Sequence, residues 1–144
     1  MKDVKTPMNE SGNLNLSLVW IEIAAQYLEA IANKDLDTMG DIFAQDINLY
    51  NWNVQAKGKE KAIEVNKVHL DLVEYTKIDI INVTHKEKYV CFEAILSHRY
   101  IFDIADVFDS VVRGKGTSVT TNLVYIFKFN DVKKIKSIKT YKLR

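Results

Sequence analysis

One cysteine, one proline and five glycines are all that 144 residues hold of the residue types that most constrain a chain. With Cys91 alone, no disulfide can close within the chain, and zinc sites built on two or more cysteines are excluded. The one proline, Pro7, lies in a polar first segment, Met1 to Asn13, which has no apolar core of the kind a signal peptide needs. No apolar run approaches the ~20 residues of a membrane span. An excess of one charge is missing too. Twenty Lys and Arg face nineteen Asp and Glu, a net charge of +1, so no basic field draws the chain to nucleic acid or to an anionic membrane. These absences predict a cytoplasmic chain with Cys91 reduced, and neither nucleic acid nor membrane as partner. Three sequons, at Asn9, Asn15 and Asn82, read as chance in that setting.

What is present is ordinary globular material: 47% hydrophobic and 27% charged residues. The length suits one domain of roughly 100–150 residues, expected over 14–144 behind a leader of 1–13. From Leu16 to Asn33, apolar residues recur at three and four positions: Leu16, Trp20, Ile23, Tyr27, Ala30 and Ile31. Glu22, Gln26, Glu29 and Asn33 fall on the opposite face, so the segment reads as an amphipathic helix capped at Asn15 or Ser17. Asp35 then caps a short helix with Leu36, Met39, Ile42 and Phe43 as its apolar stripe. Ile47 to Trp52 reads as a strand, and Gly58 precedes a third helix over Lys59 to Tyr75.

The remainder reads as strands. Lys77 to Thr84 changes phase between Ile80 and Ile81, where a β-bulge would account for the shift. His85 to Lys88 is the expected hairpin loop. Tyr89 to Phe102 alternates, with His98 on the face of Leu96, Tyr100 and Phe102. A connection over Asp103 to Ser118, holding Gly114 and Gly116, is expected to be mobile and to edge a pocket mouth. It leads to strands at Val119 to Phe129 and Lys133 to Leu143, joined by a turn at Asn130-Asp131. Helices first and antiparallel strands after predict an α+β fold.

The run Tyr27-Leu28-Glu29-Ala30-Ile31-Ala32-Asn33-Lys34-Asp35-Leu36-Asp37, with Phe43 to Ile47, the Gly58 segment, and Phe127 to Ile135, resembles the nuclear transport factor 2-like superfamily. Its SnoaL-like and ketosteroid isomerase-like branches are the most similar. That resemblance implies a cone: a strongly curved antiparallel sheet wrapped around the long N-terminal helix, an apolar cavity within, and a homodimer through the outer sheet face. It also implies catalytic positions. The isomerase branch uses a tyrosine on the first helix, which Tyr27 matches. It uses an aspartate base on the first strand, where this chain has Asn51, and a protonated aspartate where this chain has Tyr125. Asparagine is neutral and cannot abstract a proton. The acid/base aspartate of SnoaL-like cyclases, at about the same point as Tyr125, is absent as well.

The residues point to such a cavity independently, because an unpaired polar group on a buried face costs about 1–3 kcal/mol. Tyr27, Asn66, His69, His98, Asn51 and Tyr125 all lie on apolar faces, and Trp20 and Phe127 lie beside them. Each also has a structural reading, as a satisfied core residue or a packed aromatic. As a site, His98 or His69 would be the general base, since imidazole titrates near pH ~6.5. Tyr27 and Tyr125 would donate hydrogen bonds to a carbonyl or enolate oxygen. Asn51, His69, Asn66, Trp20 and Phe127 would line the pocket. The expected ligand is a small apolar molecule, handled without cofactor or metal by isomerase- or dehydratase-type chemistry. The alternative is a non-catalytic dimerisation or protein-interaction module whose cavity is filled by its own side chains.

Weaker signals carry bland readings. Asp103, Asp106 and Asp109, spaced by three, suggest a cation site or a solvated loop. Lys115 between two glycines lacks the setting of a phosphate loop and reads as a turn. The lysines from Lys128 to Lys142 read as an outward strand face. Cys91 sits on the face opposite His98 and is no nucleophile.

Overall fold

The structure, a computed structural model, describes residues 12–51, 54–106 and 111–143. Helix α1 spans Gly12–Asn33 and buries Trp20, Ile21, Ala24, Ala25, Tyr27, Leu28, Ala30 and Ile31, while Glu22, Gln26, Glu29 and Asn33 stay exposed as the expected polar stripe. Its start differs from expectation. The helix already runs at Gly12, so Asn15 and Ser17 lie inside it rather than capping it; residues 1–11 of the expected leader lie outside the described residues. At its other end Lys34 adopts φ 55°, and the Asp35 N–H donates to the Ala30 carbonyl at 2.8 Å, closing the helix in a left-handed turn.

Asp35 caps helix α2, Leu36–Ile42, as its sequence position predicts. Its carboxylate accepts from the Thr38 N–H at 3.1 Å and the Thr38 hydroxyl at 2.6 Å, and those bonds hold it below the usual carboxylate range. Phe43 is not part of that helix. It opens strand β1, Phe43–Asn51, which pairs with β2, Val54–Lys57. Gly58, at φ 92°, then turns the chain into helix α3.

Helix α3 runs over Lys59–Leu70, five residues short of the expected Tyr75. Leu72 and Val73 extend a helical apolar stripe on paper, but Val73 is buried at the start of strand β3, Val73–Lys86, paired with Tyr100. Sheet pairing wins over local periodicity there. The expected bulge is present: the register shifts between Ile80 and Asn82, leaving Ile81 extra and half exposed. A second shift falls between Tyr75 and Lys77. The hairpin loop is tighter than expected, since His85 and Lys86 still pair with Val90 and Tyr89 and only Glu87-Lys88 turns.

Strand β4, Tyr89–Tyr100, alternates buried and half-buried residues along most of its length. Phe102 leaves the strand and is 55% exposed, so it does not share the buried face of His98. Two short strands, β5 (Ile104–Asp106) and β6 (Val111–Arg113), pair with each other. Strand β7 is Ser118–Phe129 and β8 is Ile135–Lys142. Between them the Asn130 side chain accepts from the N–H groups of Val132 and Lys134, at 3.1 and 3.0 Å.

The six-stranded sheet has the order β2-β1-β8-β7-β4-β3. It is mixed, because β1 and β8 run parallel while every other neighbour pair in it is antiparallel. The core lies between this sheet and the helices, and it contains Phe43, Leu49, Phe92, Phe127, Phe129 and Ile138 among its fully buried side chains. The architecture is the expected α+β cone, with the sheet curved but not closed. No helix is long and apolar enough to cross a membrane.

Candidate functional site

Three elements bring polar groups into the apolar interior. Tyr27 on α1 is 1% exposed, and its hydroxyl accepts a hydrogen bond from Asn66 Nδ2 on α3 at 3.2 Å. The same amide lies 3.5 Å from Met39 Sδ on α2, so one side chain ties three helices together. The Tyr27 ring contacts Phe43 at 5.8 Å, Tyr125 at 6.3 Å and Phe127 at 5.8 Å between centroids, and Tyr125 stacks on Phe127 at 5.9 Å. Phe127 therefore belongs to the packing beneath Tyr27.

A second group forms where α3 ends. The reversal after Leu70 folds the last turn of the helix back over its own continuation, β3. His69 Nε2 thereby lies 3.0 Å from the Tyr75 hydroxyl, donor and acceptor depending on the imidazole tautomer. Tyr75 is the register partner of His98 on β4. The His98 ring lies 5.8 Å from His69, 5.5 Å from Tyr75 and 5.2 Å from Tyr100, so two imidazoles and two phenols face one another.

The two groups are electrically in touch. Burial pushes the Tyr27 phenol up to about 12, and the Asn66 hydrogen bond offsets part of that rise. Burial raises Tyr75 further, with Tyr27 and Tyr100 adding to it. It raises Tyr125 well above the ordinary phenol value, with Tyr75 and Tyr27 adding. All three phenols are neutral donors at physiological pH. Among the residues whose burial is described no aspartate or glutamate is buried, which leaves His69 and His98 as the candidate proton-transfer groups beside the phenols.

A groove of about 670 Å³ opens between α1 and β3, lined by Leu28, Glu29 and Asn33 on one side and by Tyr75, Ile78 and Ile80 on the other. Tyr75 is common to the groove and the histidine group.

The eight residues singled out in the sequence are thus placed unequally. Tyr27, Asn66, Tyr125 and Phe127 make one group and His69 and His98 the other. Asn51 is half-buried at the end of β1, on the side of Ile47 and Leu49, and its register partner on β8 is Thr140. Trp20 stacks on Phe129 at 6.0 Å, near the β7–β8 turn, whereas His98 pairs with Val119 at the other end of β7. Tyr75 is not legible as a site residue in the sequence, where the helical pattern of α3 runs on to it. Its alternation with Val73 was the available signal. The triad of aspartates includes Asp109, which lies outside the described residues; Asp103 Oδ1 accepts the Lys115 N–H at 2.6 Å and closes a loop. Among the described residues no group of three metal-ligating side chains is assembled.

The comparisons with known proteins agree with this architecture. The model of the SnoaL-like domain family matches residues 24–138. A candidate SnoaL-like polyketide cyclase from Jannaschia sp. CCS1 superposes with a TM-score of 0.75 at 17% identity, over 94% of this chain and 91% of that one. A counterpart from Shewanella denitrificans OS-217 gives 0.73 at 16%, over 87% and 90%. An M. tuberculosis LEH-like epoxide hydrolase gives 0.69 at 15%, over 88% and 84%. At such identities the likeness is one of fold. No curated protein sequence matches the chain.

Proposed function

We propose, from the premise that this chain belongs to the SnoaL-like domain family, that it binds a small, largely apolar molecule bearing a carbonyl or enol oxygen. On this reading it performs proton-transfer chemistry of the isomerase or dehydratase type without a cofactor. The observation that carries this is a set of three neutral phenols, Tyr27 and Tyr125 buried and Tyr75 half-buried, beside two imidazoles under an open groove. His98, with His69 beside it, takes a proton from carbon next to the carbonyl and returns it elsewhere on the same molecule. Tyr27 and Tyr125 donate hydrogen bonds to the oxygen as negative charge develops there. Their raised pKa values suit that role, since a phenol that stays protonated can donate but not abstract. Tyr75 couples the groove to the histidines, and the groove is the path of entry.

The test uses 3-cyclohexen-1-one as probe, followed by proton NMR in deuterium oxide. The wild-type chain is expected to speed deuterium uptake at the α-carbon and migration of the double bond, and His98→Gln to remove most of that rate. Uptake no faster with protein than without it would remove the catalytic reading.

A second reading has its own observation. Tyr27, Tyr125, Phe92 and Phe127 are all at most 3% exposed and pack ring against ring, so much of the interior is occupied by the chain itself. A dimerisation or interaction module with a filled cone would look the same in that region. It predicts that no small molecule reaches His98.

A further inference from the structure

Strand β8 carries a residue that packing alone does not explain. Its inward side chains are Ile135, Ile138 and Thr140, all at most 4% exposed, while Lys139 and Tyr141 point outward. The Thr140 hydroxyl is buried and makes no hydrogen bond among the described residues. Valine has the same shape, suits a strand at least as well, and would leave no polar atom without a partner. A hydroxyl in that position is a structural cost with no structural return.

Its neighbours are polar as well. Thr140 is in register with Tyr125 on β7 and with Asn51 on β1. The backbones of Tyr125, Thr140 and Asn51 therefore stand side by side on three adjacent strands, with the Tyr125 ring against Tyr27. They are separated along β7 from Val119, the partner of His98. Each of the three can both donate and accept. Such a row suits a group that does both, which is an alcohol or a phenol rather than an ion.

We propose that Thr140 is a specificity-determining residue: its hydroxyl, with Asn51 beside it, recognises a second, hydroxyl-bearing group of the ligand, beyond the oxygen that Tyr27 and Tyr125 hold. The inference rests on the ligand-binding reading above and deepens it. The ligand class becomes an apolar ring system with an oxygen at each end. Thr140 acts in recognition and not in proton transfer.

The experiment compares two probes, 2-naphthol and 2,6-dihydroxynaphthalene, which adds a hydroxyl at the far end of the same rings. Affinities and melting temperatures are measured for wild type, Thr140→Val and Thr140→Ser. Wild type is expected to prefer the diol by about tenfold, since a site built to hydrogen-bond a hydroxyl discriminates against the analogue lacking it. Thr140→Val should reduce that preference to within about twofold and melt at or above the wild-type temperature. Thr140→Ser should keep the preference. A wild type that binds both probes equally, or a Thr140→Val variant that keeps the preference, would overturn the role of Thr140 and leave the pocket standing. A Thr140→Val variant that melts several degrees lower would show the hydroxyl to be structural and overturn it too. A wild type that binds neither probe would overturn the ligand-binding reading itself, and this inference with it.

Discussion

At the scale of single residues, the phenol of Tyr27 separates a working group from a merely packed one. It takes one hydrogen bond, from Asn66, and otherwise touches aromatic rings. Tyr27→Phe should therefore cost about 1 kcal/mol in a denaturant melt, the usual worth of one neutral hydrogen bond. A loss of several kcal/mol would mean that Tyr27 anchors a larger structural network. The same burial makes a prediction in alkali. Below pH ~10, the unfolded value, these phenols are neutral in both states and the full stability is present. Above it the unfolded chain releases protons that the folded chain keeps, so stability falls as pH rises toward about 12, the folded value at Tyr27. Melts in that window should steepen with pH, and Tyr27→Phe should soften the slope. An unchanged slope would show that Tyr27 ionises in the folded chain as it does unfolded. These residues were legible in the sequence because polar side chains on apolar stripes stand out. Tyr75 and Thr140 were not. Tyr75 continues a helical pattern on paper, and Thr140 is a β-branched residue whose polarity hides among strand formers.

Whole elements were more legible than their ends. The stripe of Glu22, Gln26, Glu29 and Asn33, the cap at Asp35 and the phase change at Ile80-Ile81 each state a local physical requirement, and each is met. The end of α3 and the parallel pairing of β1 with β8 depend on residues far away in the chain, and no local pattern encodes them. Gly58 is the hinge between β2 and α3. Its φ of 92° is one that residues with a Cβ avoid, although a Cβ there would meet only the Gln45 carbonyl oxygen at 4.0 Å. Gly58→Ala should thus destabilise by backbone strain alone, by about 1 kcal/mol, with no loss of packing. A chemical denaturation midpoint equal to wild type would show that the turn relaxes freely. The hairpins are tied across the sheet end by the ion pair of Lys88 and Asp131, which holds the Asp131 carboxyl below its usual range. Both partners are exposed enough that this pair orients the turns more than it stabilises them.

At the scale of the molecule, two faces of one sheet pose two questions. The outer face carries Tyr89 and Tyr141, 46% and 49% exposed, with Cys91, Ile95, Val124 and Ile126 half-buried among them. An apolar surface of that kind fits a second copy of the chain, and the expected result of sedimentation at micromolar concentration is a dimer. A monomer alone would refute it. The inner face poses the central question, whether a small molecule reaches the buried phenols and imidazoles. The three histidines allow a direct answer. His69 and His98 sit in the cluster, while His85 lies at the far end of β3, paired with Val90. Imidazole resonances followed by NMR as 2-naphthol is added should show saturable shifts at His69 and His98 and none at His85. If neither cluster histidine moves, or if His85 moves as much, the interior is closed to ligand and the account is contradicted.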